Sequence, residues 1–371
     1  MLYLDYLAST PLLPQVQKDM QKAWEETYAN PSSNHTCGLK AAELIDQCKE
    51  TIADEIGAYP SEIIFTSGAT EANNFAIKGL AFALGKTNKH IVTSAIEHKC
   101  VLEICSFLET QGFEVTYVKP TADGIVTTEA VAAAIRPDTI LVSIMHVNNE
   151  LGTINPIQEI GELCLEKDIA FHTDAAQSFK KLPIDVLDMN LHAMSVSAHK
   201  FGGPKGIGFC FLRDAKTTTV EPLIHGAGQQ MGLRGGTVAT PLIVGLNSAV
   251  QNYQYDEALY KVIKVDLIKQ LQSSGTCFKI NGINALPNVM NLRFFDSKMV
   301  NDILSSQKYC VSQGSACSSK EITPSHVLQA IGLNAPEARN CIRLSFSDES
   351  VINLFKDFEL KDTYVNAAYT T

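Results

Sequence analysis

Seven short stretches of the chain, residues 62–66, 90–96, 114–118, 139–145, 169–173, 193–198 and 208–212, are apolar through most of their length. Segments with helical spacing separate them. A strand that is apolar on both sides of its pleat has to be covered on both faces. The rhythm therefore predicts an α/β architecture, a mostly parallel sheet with helices on either side. In such a sheet the polar residues at the strand ends collect along one edge, and that is where chemistry is expected.

The remaining segments fit around this frame. Residues 2–10 read as a short strand entering a Thr-Pro turn, and helices are expected over 14–28 and 38–56. After the turn at Gly68, the residues Ala72, Phe75, Ala76, Gly79, Leu80 and Ala83 form the stripe of an amphipathic helix. From about residue 252 the texture changes to a charged helical stretch, 253–274, followed by shorter strands around 289–294. With 371 residues the chain exceeds what one core usually serves, so two domains are expected.

Among the strand ends, Lys200 stands out. It follows the apolar run 193–198 and precedes a turn enforced by Gly202, Gly203 and Pro204. A lysine held there by rigid backbone and partly desolvated is available as a neutral amine for a Schiff base, although lysines in Gly/Pro turns are also common on surfaces. Asp174 ends another run of the same kind. A carboxylate there can cap a helix, but paired with Lys200 it matches what pyridoxal phosphate requires: an amine for the aldehyde and an acid that keeps the pyridine nitrogen protonated. The turn Thr66-Ser-Gly-Ala-Thr70 lies between a strand and a helix, where backbone N–H groups and the helix dipole suit a phosphate. A plain cap by Ser67 or Thr70 is the alternative. His98 follows a third strand, either as an ordinary exposed side chain or as a flat ring able to stack on a cofactor and shuttle protons.

Lys and Arg number 30 against 40 Asp and Glu, so the overall field repels nucleic acid and anionic membranes. No apolar run approaches the roughly 20 residues of a bilayer span, and no charged leader opens the sequence, which makes the cytoplasm the expected compartment. The ten cysteines show neither C-x-x-C pairs nor zinc-ligand spacing and read mostly as small buried hydrophobes. Cys317 is the exception. It lies within Val311-Ser-Gln-Gly-Ser-Ala-Cys-Ser-Ser319, small polar residues that give it little to pack against, so an exposed, mobile loop with a reactive thiol is expected. Arg343 sits in a strand-like run where a free charge is costly, and is expected to face a carboxylate.

Taken together, Leu4-Asp-Tyr-Leu-Ala-Ser-Thr-Pro11, Phe65-Thr-Ser-Gly-Ala-Thr-Glu71, Met145-His-Val-Asn-Asn-Glu150, His172-Thr-Asp-Ala-Ala-Gln177, Ser197-Ala-His-Lys200, Arg234-Gly-Gly-Thr237 and Gly314-Ser-Ala-Cys317 resemble the pyridoxal-phosphate cysteine desulfurases of the NifS/IscS kind. The resemblance runs from Tyr3 to about Ser347. It implies the aspartate-aminotransferase fold (fold type I). Residues 13–252 would form a large cofactor domain, and residues 1–12 with 253–371 a smaller α+β domain carrying the Cys317 loop. By motif, Lys200 would carry pyridoxal 5'-phosphate, Asp174 would pair with its ring nitrogen and His98 would stack on the ring. Gln177 and Asn149 would address its phenolic oxygen, and Ala69, Thr70, Ser197 and His199 its phosphate. Thr237 would reach the phosphate from the other subunit of a homodimer, and Arg343, with Asn149, would hold the substrate.

The implied reaction takes sulfur from L-cysteine, leaving L-alanine and a persulfide on Cys317. An acceptor protein would collect that sulfur for iron–sulfur cluster assembly or for tRNA or DNA thio-modification. The short tail after Ser347 points away from iron–sulfur scaffold docking there and toward a specialised donor. A selenocysteine lyase or another enzyme of the same fold, and a non-catalytic scaffold that keeps only the fold, are the competing readings.

Overall fold

The computed structural model describes residues 1–87, 89–313 and 324–347. After a two-residue strand β1 (Leu2–Tyr3), seven strands follow in chain order: β2 (Ile63–Thr66), β3 (His90–Ser94), β4 (Glu114–Val118), β5 (Thr139–Ser143), β6 (Ala170–Asp174), β7 (Ala193–Ser197) and β8 (Gly208–Leu212). They form one sheet in the order β2-β8-β7-β6-β5-β3-β4. Every pairing is parallel except the two made by β8, which runs against both neighbours.

The apolar runs are explained by which way successive residues point. Val92, Val142, Phe171, Met194 and Phe209 enter one core cluster. Their chain neighbours Ile91, Leu141, Ala170, Ala193 and Cys210 enter another. Two cores on opposite faces leave no polar side for these strands. Only β4, at the sheet edge, shows exposed and half-buried positions. On one face the helices Thr36–Ile56, Ile157–Glu166 and Thr240–Asn252 supply core residues. On the other, the helix Lys99–Thr110 and the helical run beginning at Ala69–Asn73 do so. That run contains a π-helical turn, Asn74–Lys78, before continuing as Gly79–Leu84. Such wide turns re-aim side chains and recur near functional sites.

A second, separate core is built on β9 (Phe278–Asn281), β10 (Val289–Phe294) and, after β11 (Tyr309–Cys310), β12 (Cys341–Ser345), in the order β12-β10-β9 and antiparallel throughout. Leu4 from the start of the chain packs into it beside Ile263, Leu292, Val300 and Leu344. Val327, Leu328 and Ala338 instead pack on the large core. The loop between β5 and the helix Ile157–Glu166 joins the two: Thr153 bridges Ala285, and Asn291 Nδ2 donates to the Glu150 carbonyl at 3.2 Å. These contacts set Arg343, on β12, beside Asn149.

The first segment departs from the sequence expectation. Only Leu2–Tyr3 is a strand, pairing in parallel with β11, and the chain then turns as the Ala8 amide donates to the Asp5 carbonyl. The turn aims the Leu7 and Ala8 carbonyls inward. No helix among the described residues is long and apolar enough to cross a membrane.

Candidate functional site

The strand order reverses at β3, whose sheet neighbours are β4 and β5. A crevice opens beyond the carboxyl ends at such a switch point. Lys200 ends a 3-10 turn, Ala198–Lys200, immediately after β7. Its Nζ donates to the Leu7 carbonyl at 2.8 Å and to the Ala8 carbonyl at 2.9 Å. One strand away, Asp174 ends β6 in register with Ser195 and is 5% exposed. Its carboxylate accepts from Asn73 Nδ2 at 2.7 Å and from the Ala176 amide at 2.9 Å. Two donors fix the orientation of the acid while leaving lone-pair capacity for a third partner.

The strand-to-helix turn after β2 forms the opposite wall. Gly68, at φ 146°, precedes the helix beginning at Ala69, whose first amides have no carbonyl partner within the helix. A Cβ on Gly208 would stand 2.2 Å from the Val196 carbonyl oxygen and 2.8 Å from Gly68 Cα, so only glycine lets β8 carry this turn. Glu71, in the first helical turn, would repel a phosphate, but Arg234 Nε pairs with it at 2.8 Å. Burial alone would raise the Glu71 carboxyl; hydrogen bonds from Arg234 and Ser67 hold it below the ordinary carboxylate value. The same ion pair ties the Arg234-Gly-Gly-Thr237 segment to the helix. Ser197, His199 and Thr70 line this end of the cleft. Burial and the surrounding Lys200, Lys205 and Lys181 charges push His199 down to about 4, so its ring is neutral near pH 7.

His98 caps the helix Lys99–Thr110. Its Nδ1 accepts from the Cys100 amide at 3.2 Å and lies 3.0 Å from Cys100 Sγ. An Nδ1 that accepts leaves the ring proton on Nε2. Burial lowers the His98 pKa, and the Asp174 carboxylate partly offsets this. Cys100, one of the cysteines expected to be mostly small buried hydrophobes, lines the cleft between His98 and Asn73. Burial and the nearby Asp174 push its thiol up to about 12, which keeps it protonated.

At the far end Arg343 is 2% exposed. Its Nη1 donates to the Asn149 carbonyl at 2.6 Å, and its Nη2 pairs with Asp5. Ser312 donates to the other Asp5 oxygen at 2.9 Å. Gln177 donates through Nε2 to the Leu7 carbonyl at 2.8 Å.

Lys200, Asp174, His98, Gln177, Asn149, Ala69, Thr70, Ser197, His199 and Arg343 thus come together around one cleft of about 320 Å³. Thr237 does not join them within this chain; it is exposed and lines a separate hollow with Gln230 and Phe65. Cys317 lies outside the described residues. Asn73, Cys100, Asp5 and the Leu7 and Ala8 carbonyls were not singled out from sequence. Asp5, Leu7 and Ala8 lie in a quoted motif but in a stretch that read as strand, and no motif marks Asn73 or Cys100.

These residues fit a phosphorylated pyridine aldehyde. Asn149 Oδ1 and Arg343 Nε are buried polar atoms of cleft-lining residues with no partner among the described residues, a shortfall that a polar ligand would make good.

The sequence profile of the aminotransferase class-V family matches residues 2–352. A protein described as cysteine desulfurase IscS from Vibrio campbellii is 43% identical, over 93% of this chain and 87% of its own. A mitochondrial cysteine desulfurase of Eremothecium gossypii is 42% identical over 92% and 71%. Among solved structures, that of SspA in complex with cysteine superimposes with a TM-score of 0.87 at 49% identity, over 93% of this chain and 98% of that one.

Proposed function

The chain belongs to the aminotransferase class-V family, and from that membership and the geometry of the cleft we infer that it is a cysteine desulfurase using pyridoxal 5'-phosphate. The observation that carries the reading is the convergence of Lys200, Asp174 and Arg343 on one cleft with a helix start as its wall. Lys200 would hold the cofactor's aldehyde carbon, Asp174 its ring nitrogen, and Ala69, Thr70, Ser197 and His199 its phosphate. When bound, this cofactor supplies an electron sink that loosens bonds at the substrate's Cα and Cβ.

The protein does the rest. Arg343 orients the carboxylate of L-cysteine, with Nε as its spare donor. Lys200, whose Nζ lies in the same cleft, would hold and move the Cα proton of the bound substrate. Neutral His98 presents Nε2–H to the same space. In the transfer step the substrate's C–S bond breaks and its sulfur bonds to Cys317 Sγ. The carbon gains a proton, so the products are L-alanine and a Cys317 persulfide. An acceptor protein then takes the sulfur.

The reading extends to the assembly. We take residues 13–252 as the cofactor domain and residues 1–12 with 253–371 as the second. The exposed position of Thr237, on a segment tied to the phosphate wall through Arg234 and Glu71, supports a homodimer in which Thr237 serves the other subunit. A cytoplasmic location and an acceptor in iron–sulfur assembly or thio-modification complete the proposal.

The test is the visible spectrum of the purified protein before and after L-cysteine, with alanine and sulfide assayed under a reductant. A yellow band present in the wild type and lost in Lys200→Ala is expected, with alanine and sulfide from the wild type alone. Loss of sulfide release in Cys317→Ala separates a desulfurase from a selenocysteine lyase. A protein that stays colourless after incubation with pyridoxal phosphate refutes the reading.

A further inference from the structure

Lys181 is a buried amine to which the chemistry above gives no role. It is 7% exposed, and its Nζ donates to Gln177 Oε1 at 3.1 Å. The other end of that amide, Nε2, donates at 2.8 Å to the Leu7 carbonyl, which also accepts from Lys200 Nζ at 2.8 Å. Gln177 lines the cleft and Lys181 does not. Lys181 approaches from behind, from a second cavity of about 410 Å³ whose wall includes Lys200 and the phenols of Tyr6, Tyr253 and Tyr260.

The two ends of a glutamine amide have nearly the same shape and opposite chemistry: the oxygen accepts and the nitrogen donates. A lysine ammonium only donates. The Gln177 oxygen must therefore turn toward Lys181, which leaves the NH₂ group on the side of Leu7 and the cleft. We propose that Lys181 is a positioning residue that fixes the Gln177 amide with its nitrogen toward the cleft, so that the cofactor's phenolic oxygen meets a donor. This rests on the pyridoxal-phosphate reading above. The opposite amide orientation would set an acceptor against an oxyanion, and a Gln177 without Lys181 would leave Oε1 buried without a donor.

The arrangement survives titration of the amine itself. Burial, with the neighbouring Lys200 and Arg343 charges, pushes Lys181 down to about 7. The ammonium and the neutral amine both carry N–H donors, so Oε1 is served on either side of that value.

The test is a pH titration of the visible band of the holoenzyme reconstituted with pyridoxal phosphate. A donor to the phenolic oxyanion and a nearby positive charge both disfavour protonation of the cofactor–Lys200 linkage. Lys181→Met should therefore move the midpoint upward by about one pH unit. Lys181→Arg, which keeps charge and donors, should stay within about 0.3 pH units of the wild type. In a Gln177→Leu background the Lys181→Met shift should fall to less than half, because the intermediary is gone. Lys181→Gln, which offers Gln177 a donor or an acceptor equally, is a milder second variant and should shift the midpoint in the same direction by less. An unmoved midpoint in either Met or Gln variant, or an equal shift in both backgrounds, overturns the proposal. A wild type that takes up no pyridoxal phosphate overturns the functional reading instead.

Discussion

Glu97 offers a quantitative check on the packing behind the cleft, where its neighbour His98 and its partner Met145 form part of the lining. The residue is fully buried between β3 and the helix Lys99–Thr110. Its Oε1 accepts from Ser94 Oγ at 2.6 Å and from the Met145 amide at 2.9 Å, and its Oε2 has no partner among the described residues. Burial, reinforced by the Asp174 charge, pushes the carboxyl from 4.5 up to about 8. A neutral Glu97 leaves Asp174 without a second anion beside it. Between those two pH values the folded protein keeps a proton that the unfolded chain has released, so stability falls as pH rises, by about 1.4 kcal/mol per pH unit. The full window is worth roughly 5 kcal/mol as an upper bound.

Glu97→Gln removes this titration. It keeps the acceptor for Ser94 and Met145 and places an unpaired NH₂ where Oε2 stood, at a cost of about 1–3 kcal/mol that does not vary with pH. The variant should therefore be less stable than the wild type at pH 5 and more stable at pH 8, by roughly 2–4 kcal/mol at the upper end. Urea unfolding of both proteins at each pH unit between 5 and 8 reads the difference directly. A difference that stays flat across this window would mean that Glu97 is ionised in the fold, and would refute the reasoning.

Two further substitutions probe the walls. Gly208→Ala puts a Cβ against backbone on both sides, 2.2 Å from the Val196 oxygen and 2.8 Å from Gly68 Cα, so the Gly68 turn has to shift. Affinity for pyridoxal phosphate, measured by equilibrium dialysis, should drop about tenfold or more, equivalent to about 1.4 kcal/mol, and an unchanged affinity would contradict the cradle. Arg343→Lys keeps the charge but loses the planar fork that serves the Asn149 carbonyl and Asp5 together. The KM for L-cysteine should rise by roughly 30-fold with a smaller change in kcat; steady-state alanine formation reads both, and an unchanged KM would remove Arg343 from substrate binding.

Much of this molecule is written in short-range pattern. Runs apolar through most of their length demanded two cores, and Val92 beside Ile91 or Phe171 beside Ala170 divide between them as that demand requires. Lys200, Asp174 and His98 were legible because each stands at or just past the end of a strand marked by the loss of apolar residues. Gly68 was legible because a strand, a turn and a helix start stand in line. β8 runs antiparallel, which apolarity alone does not encode, since it is buried on both faces in either direction.

The supporting residues belong to the tertiary structure. Asp5 and Arg343 are 338 residues apart, and they meet because β12 lies beside the first turn of the chain. Asn73 reaches Asp174 across 101 residues. Lys181 and Cys100 carry no motif, and their side chains meet Gln177 and His98 only in the folded chain. Periodicity along a sequence reports which side of an element faces the core, because that depends on spacing of 2 or 3.6 residues. Which polar groups then satisfy one another is fixed by chain closure over hundreds of residues and by the cost of leaving any of them unpaired in the interior.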